Sequence, residues 1–148
     1  MARNDIVVNA RPADVFGVLT DPGAFAVWVV GAKRIRGHDR SWPRRGSKFH
    51  HTVGVGPVQL SDDSKVLEVE QDKRLVLEAR VRPFGTATID LRLKPKRRGR
   101  ATRVTLRETA RRGPAERAWN PVFDLMMHAR NAIALRRLKR LAEARAGA

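Results

Sequence analysis

A chain of 148 residues with 42% hydrophobic content is long enough to bury a core without covalent staples and too apolar for wholesale disorder. It has no cysteine, which excludes disulfides, thiol nucleophiles and cysteine-ligated zinc or iron–sulfur centres and suits a reducing compartment. Lys and Arg total 31 against 15 Asp and Glu, a net charge of +16, so a polyanion such as nucleic acid or an anionic membrane is a candidate partner.

Asp5 to Asn9 reads as a first strand, and its run Ile6-Val7-Val8 is too short for a signal-peptide core. No later stretch is long enough to span a bilayer, so a cytoplasmic protein is expected. Arg11-Pro12-Ala13-Asp14 opens a helix, with Pro12 suited to the first turn and Asp14 to its positive end. Asp21 is placed to cap a second short helix that starts at Pro22 and carries Phe25 and Trp28.

From Lys33 the hydrophobic period becomes two. Ile35 lies in one strand, and Trp42 to Gly46 is a loop. Phe49, His51, Val53 and Val55 alternate with polar neighbours in the next strand. Val58 to Gln71 follows, with a bend or bulge expected at the polar run Ser61-Asp62-Asp63-Ser64. Gln71-Asp72-Lys73 is a hairpin turn before Leu75, Leu77, Ala79 and Val81. Pro83-Phe84-Gly85 ends that strand, and Ala87, Ile89, Leu91 and Leu93 alternate cleanly in the one after it. Lys96 to Arg100 is a basic hairpin tip, and Thr102, Val104, Leu106 and Glu108 share one face of the last strand.

Gly113-Pro114 stops the strand and introduces a helix running to about Arg145, with Pro121 as its true start or a kink. Trp119, Phe123, Met126 or Met127, Arg130, Ile133, Leu138 and Leu141 recur at helical spacing, the stripe expected to face the sheet. The order is one strand, two short helices, about six antiparallel strands and one long helix: an α+β fold in a single domain spanning 1–148.

The opening Asn9-Ala10-Arg11-Pro12-Ala13-Asp14-Val15-Phe16, then Leu19-Thr20-Asp21 with Trp28 seven residues on, Gly46 before an alternating strand, and the ending Asn131 to Glu143 together resemble the SRPBCC superfamily. That group includes START, birch-pollen-allergen-like and polyketide cyclase/dehydrase-like proteins. The resemblance covers nearly the whole chain and rests on folding features. It implies a helix-grip fold: a curved antiparallel sheet of about seven strands wrapped around the C-terminal helix, with a cavity between them. Relatives carry lipids, sterols, hormones or polyketides, and some catalyse cyclisation.

In such an architecture the inward face of a curved sheet stands away from the helix, and large side chains or a ligand must fill the gap. The candidate ligand-contacting set is Trp28, Phe49, His51, Val53, Leu77, Ala79, Ile89, Leu91, Leu106, Phe123, Met126, Met127 and Arg130; for each, plain core packing is the competing reading. The paired methionines suit an adaptable wall. His51 and Glu108 both fall on the apolar face, so a close pair is the candidate catalytic couple, an imidazole and a carboxylate sharing a proton. Arg130 can meet a ligand oxygen, lay its stem across apolar surface, or pair with an acid such as Glu108. Asn131 is the neighbouring polar candidate.

His50 and His51 are adjacent and point to opposite faces, so they do not chelate one metal, and no metal-ligand spacing or cofactor fingerprint is present. No metal and no cofactor are therefore expected. Three functions stay open: a carrier of a small hydrophobic molecule (lipid, polyketide or aromatic), a polyketide cyclase/dehydrase-like enzyme, and a basic module for nucleic acid or an anionic membrane. The basic tip lacks interleaved aromatics, which weakens single-strand binding. Oligomeric state is not legible.

Overall fold

In the computed structural model the period-two segments form one antiparallel sheet, described over residues 1–30, 32–55, 57–81, 85–112 and 121–147. The side chains of 33, 34, 53–55, 58–61, 81, 111, 112 and 123 lie outside that description. The strands are β1 (Ala2–Val8), β2 (Ala32–His38), β3 (Lys48–Val55), β4 (Val58–Glu70), β5 (Arg74–Val81), β6 (Gly85–Lys96) and β7 (Ala101–Arg112). They lie in the order β1-β7-β6-β5-β4-β3-β2, so hairpins join every neighbouring pair except β1 and β7. Helices α1 (Pro12–Leu19) and α2 (Pro22–Trp28) connect β1 to β2, and α3 (Pro121–Ala146) closes the chain. The α+β helix-grip arrangement expected from the sequence is the one found.

Local chemistry explains the boundaries. Pro12 and Pro22 occupy first turns, where their missing N–H costs nothing. Asp21 Oδ1 accepts from the Gly23 N–H at 3.0 Å, capping α2. Asp72 takes φ 60° in the β4–β5 turn, a left-handed position that Asp tolerates better than most residues. Pro121 begins α3; Gly113-Pro114 and Trp119 lie outside the described residues.

The long strand β4 corrects one expectation. Its pairing with β3 runs without interruption from Val58 to Lys65, and the register shift against β5 falls between Val66 and Glu68. The extra residue there is Leu67, and its insertion turns Val69 inward where strict alternation from Val66 would have turned Glu68 inward. The polar run Ser61 to Ser64 misled because Asp62 and Ser64 are themselves inward and buried.

Across the inward face, Ala2, Glu108, Ile89, Leu77 and Val66 form one row, and Asn4, Leu106, Leu91 and Leu75 the next. Against this face lie Val15, Phe16, Val18 and Leu19 of α1, Ala24, Phe25 and Trp28 of α2, and Ala134, Leu135, Leu138 and Ala142 of α3. The buried stripe of α3 is therefore Asn131, Ala134, Leu135, Leu138 and Ala142, rotated from the stripe expected. Ile133 and Met126 face outward, 43% and 63% exposed. Two of the inward residues are small alanines, and large outward side chains disguise that choice.

Polar contacts hold α3 along β1. Asn4 Nδ2 donates to the His128 carbonyl at 3.0 Å, Lys139 Nζ to the Val7 carbonyl at 3.0 Å, and the Asn9 N–H to Glu143 Oε1 at 2.8 Å. Among the described residues, no helix is long and apolar enough to cross a membrane.

Candidate functional site

Between the sheet and the helices lies a recess of about 30 Å³. The sheet contributes Leu77, Ile89, Leu91, Leu106 and Glu108; α2 and the segment after it contribute Phe25, Trp28, Val29 and Val30; α3 contributes Arg130, Asn131 and Ala134. Its wall is apolar except for three polar residues that converge on one end.

Those three are bonded to one another. Asn131 Nδ2 donates to Glu108 Oε2 at 2.8 Å, and Arg130 Nη1 approaches Glu108 Oε1 at 3.5 Å. Arg130 also spends Nε and Nη2 on the Val30 carbonyl, at 3.2 and 3.1 Å, tying α3 to the end of α2. Glu108 is 4% exposed and Asn131 is 4% exposed, and both oxygens of the buried acid meet donors. The register places Glu108 opposite Ala2 and Ile89, so the acid is flanked by small and apolar neighbours. Trp28 is buried, and its Nε1–H has no acceptor among the described residues.

A second polar group lies at the other end of the inward face. His51 is 3% exposed, its Nε2 is 3.1 Å from Ser64 Oγ, and its ring packs against Phe25 and Phe49, with centroids 5.5 and 5.2 Å apart. Burial pushes its pKa down to about 4, against a smaller upward pull from Asp63, with Arg36 and His50 adding to the depression. His50, on the opposite face, pairs with Asp63 at 2.6 Å and holds that carboxyl below its usual range. Asp62, buried and opposite His51 in the register, is a neighbour the sequence reading passed over.

His51 and Glu108 do not form the expected close pair. Strands β3 and β7 are four strand spacings apart, about 19 Å along the sheet at ~4.8 Å per spacing. Each group bonds elsewhere. Alternation correctly puts both on one face, and says nothing of position across the sheet.

Of the expected ligand-contacting residues, the recess brings together Trp28, Leu77, Ile89, Leu91, Leu106 and Arg130. Phe49 is fully buried in the aromatic cluster with Phe25 and Trp42, away from the recess lining. Ala79 and Met127 are half-buried and outside the lining, and Met126 points to solvent. Val53 and Phe123 have side chains outside the described set. Phe25, Val29, Val30 and Ala134 were missed; a short helix and its exit segment carry no periodic signal that would have marked them as pocket wall. Among the described residues, no group of three or more His, Asp or Glu could hold a metal ion.

A family model described as polyketide cyclase / dehydrase and lipid transport matches residues 2–143. No curated protein matches the chain. Solved structures do. Protein CV1439 from Chromobacterium violaceum is 18% identical with a TM-score of 0.74, covering 95% of this chain and 96% of that one. Ara h 8.0201 is 8% identical with a TM-score of 0.70, covering 96% of each chain. DynU16, from the dynemicin biosynthetic locus, is 22% identical with a TM-score of 0.69, covering 96% of this chain and 46% of that one. At these identities the likeness is one of fold.

Proposed function

The chain belongs to the polyketide cyclase/dehydrase and lipid transport family, and from that premise we propose that it binds a small hydrophobic molecule (lipid, polyketide or aromatic) between the sheet and α3. The observation that carries this reading is the make-up of the recess: an apolar wall with Glu108, Asn131 and Arg130 gathered at one end. Binding sites for small molecules have this character, apolar surface for affinity and a few placed polar groups for orientation. The unpartnered Trp28 N–H adds a donor for a carbonyl or hydroxyl oxygen of the ligand.

At about 30 Å³ the recess has room for about two waters, whereas drug-sized ligands occupy ~300 Å³ or more. The ligand therefore enters by displacing the side chains that now fill the space. Val29 and Val30, which follow α2, and Arg130, which bonds to Val30, form the movable rim. The absence of cysteine suits a reducing compartment and supports a cytoplasmic site of action.

Native mass spectrometry of the purified chain, followed by denaturation and identification of what is released, tests the proposal. A stoichiometric apolar molecule is expected. An empty protein that also ignores a broad panel of hydrophobic ligands would remove the reading.

One observation favours a second reading, a cyclase/dehydrase-like enzyme. Glu108 is buried at the recess, with its carboxylate oriented by Asn131, a position from which it can take or give a ligand proton. Holding a flexible chain in a reactive conformation would lower the barrier with few further groups. His51 would stand outside such a step.

A further inference from the structure

We propose that the outward face of α3 is a docking surface for an anionic lipid bilayer. The stripe opposite its buried face consists of Val122, Leu125, Met126, Ala129 and Ile133, continued toward the C-terminus by Arg136, Arg137 and Arg140, all exposed. At 100° per residue these eight positions fall within about 60° either side of one line along the helix. Val122 and Leu125 are each 69% exposed and Met126 63%, a concentration of large apolar groups that soluble surfaces rarely leave uncovered.

Charge complementarity identifies the occupant. No residue of this stripe is acidic. The two acids of α3 are engaged, Asp124 by the N-terminal amine at 3.3 Å and Glu143 by Lys139 and the Asn9 N–H. The stripe thus offers an apolar half for the acyl boundary and an arginine half for anionic headgroups, the division an interfacial helix requires. Nucleic acid would leave the apolar half unused. A second copy would bring together two chains of net charge +16, which repel.

Arg130 lies on the shoulder of this stripe, between Met126 and Ile133, and also lines the recess. Docking would set the recess rim at the membrane, so that an apolar ligand passes between bilayer and protein without crossing water. This passage of ligand rests on the pocket reading; the docking itself does not.

The test is co-sedimentation of the full chain, without pocket ligand, with vesicles of equimolar phosphatidylcholine and phosphatidylglycerol and with vesicles of phosphatidylcholine alone. Binding to the mixed vesicles and little to the neutral ones is expected. Leu125→Ser with Met126→Ser, and separately Arg136→Glu with Arg137→Glu, should each weaken binding by about tenfold or more, with unchanged thermal melts. Absence of binding to the mixed vesicles would overturn the proposal. So would undiminished binding by the serine variant together with equal binding to a DNA duplex, which would make the face a general polyanion patch. A parent dimer in sedimentation equilibrium that the serine variant dissolves would assign the face to a second copy and overturn it as well. Since no pocket ligand is used, failure here leaves the pocket reading standing, and the converse holds.

Discussion

Asn131 on α3 donates to Glu108 on β7 at 2.8 Å, a single buried bond that joins the middle of the long helix to the last strand at the polar end of the recess. It helps hold α3 on the sheet and sets which way the Glu108 carboxyl points.

Removing the donor leaves a buried carboxylate with only the longer Arg130 contact. Asn131→Ala should cost about 1–3 kcal/mol, read as a lower denaturation midpoint in urea. Asn131→Asp should cost more, because it sets a second acid against Glu108. Equal stability of all three proteins would mean that the bond contributes nothing net.

Glu108→Gln separates binding from chemistry. The amide oxygen still accepts from Asn131 while the amide nitrogen forfeits the longer Arg130 contact, so stability should fall by about 1–3 kcal/mol and apolar ligands should still bind. Under the enzyme reading, turnover of a polyketide-like substrate should vanish with this change; turnover that survives would remove Glu108 as the proton carrier.

Protonation of His51 should destabilise the fold in mild acid. Its imidazole titrates near 6.5 when unfolded and at about 4 when folded, so between these values the unfolded chain binds more protons. The stability associated with neutral His51 is complete above pH 6.5 and is lost as pH falls to about 4, with a limit of about 3 kcal/mol. Asp63, Asp90 and Glu143, whose carboxyls are held below their usual range, add losses at lower pH. His51→Gln should therefore flatten the stability profile between pH 6.5 and 4 specifically, as measured by urea melts across that range. An unaltered slope would place the titration elsewhere.

The rotation of α3 predicts a contrast between two residues five positions apart. Leu138, fully buried, should cost about 2–5 kcal/mol when changed to Ala. Ile133, facing out, should cost less than about 1 kcal/mol. Comparable costs at the two positions in thermal or chemical melts would restore the stripe expected from hydrophobicity alone, which turned both inward.

The fold was legible because its signals are local: period-two alternation in the strands, proline and Asp21 at helix starts, and turn chemistry at Gln71 to Lys73. What failed depended on three-dimensional placement. The bulge at Leu67 was hidden because a polar run at Ser61 to Ser64 offered a more obvious break, yet those residues pair in unbroken register. The α3 stripe was misplaced because its inward face includes Ala134 and Ala142, whose small size gives a weak hydrophobic signal. His51 and Glu108 were put on the correct face, but their distance is set by strand order, which alternation does not encode. The Glu108 partners were the exception: Arg130 could be anticipated as a mate for that acid, since both fall near apolar stripes.

The most direct test of the account is a titration with N-phenyl-1-naphthylamine, an uncharged apolar fluorophore that the basic surface does not attract. The parent should bind it saturably at one site, and Ala134→Leu, whose larger side chain occupies the space the ligand needs, should weaken binding about tenfold or more. The variant's melts should show a loss of stability no greater than the ~1–3 kcal/mol that overpacking costs. Saturable binding that Ala134→Leu leaves untouched, or no binding by the parent, would contradict a ligand site between the sheet and α3.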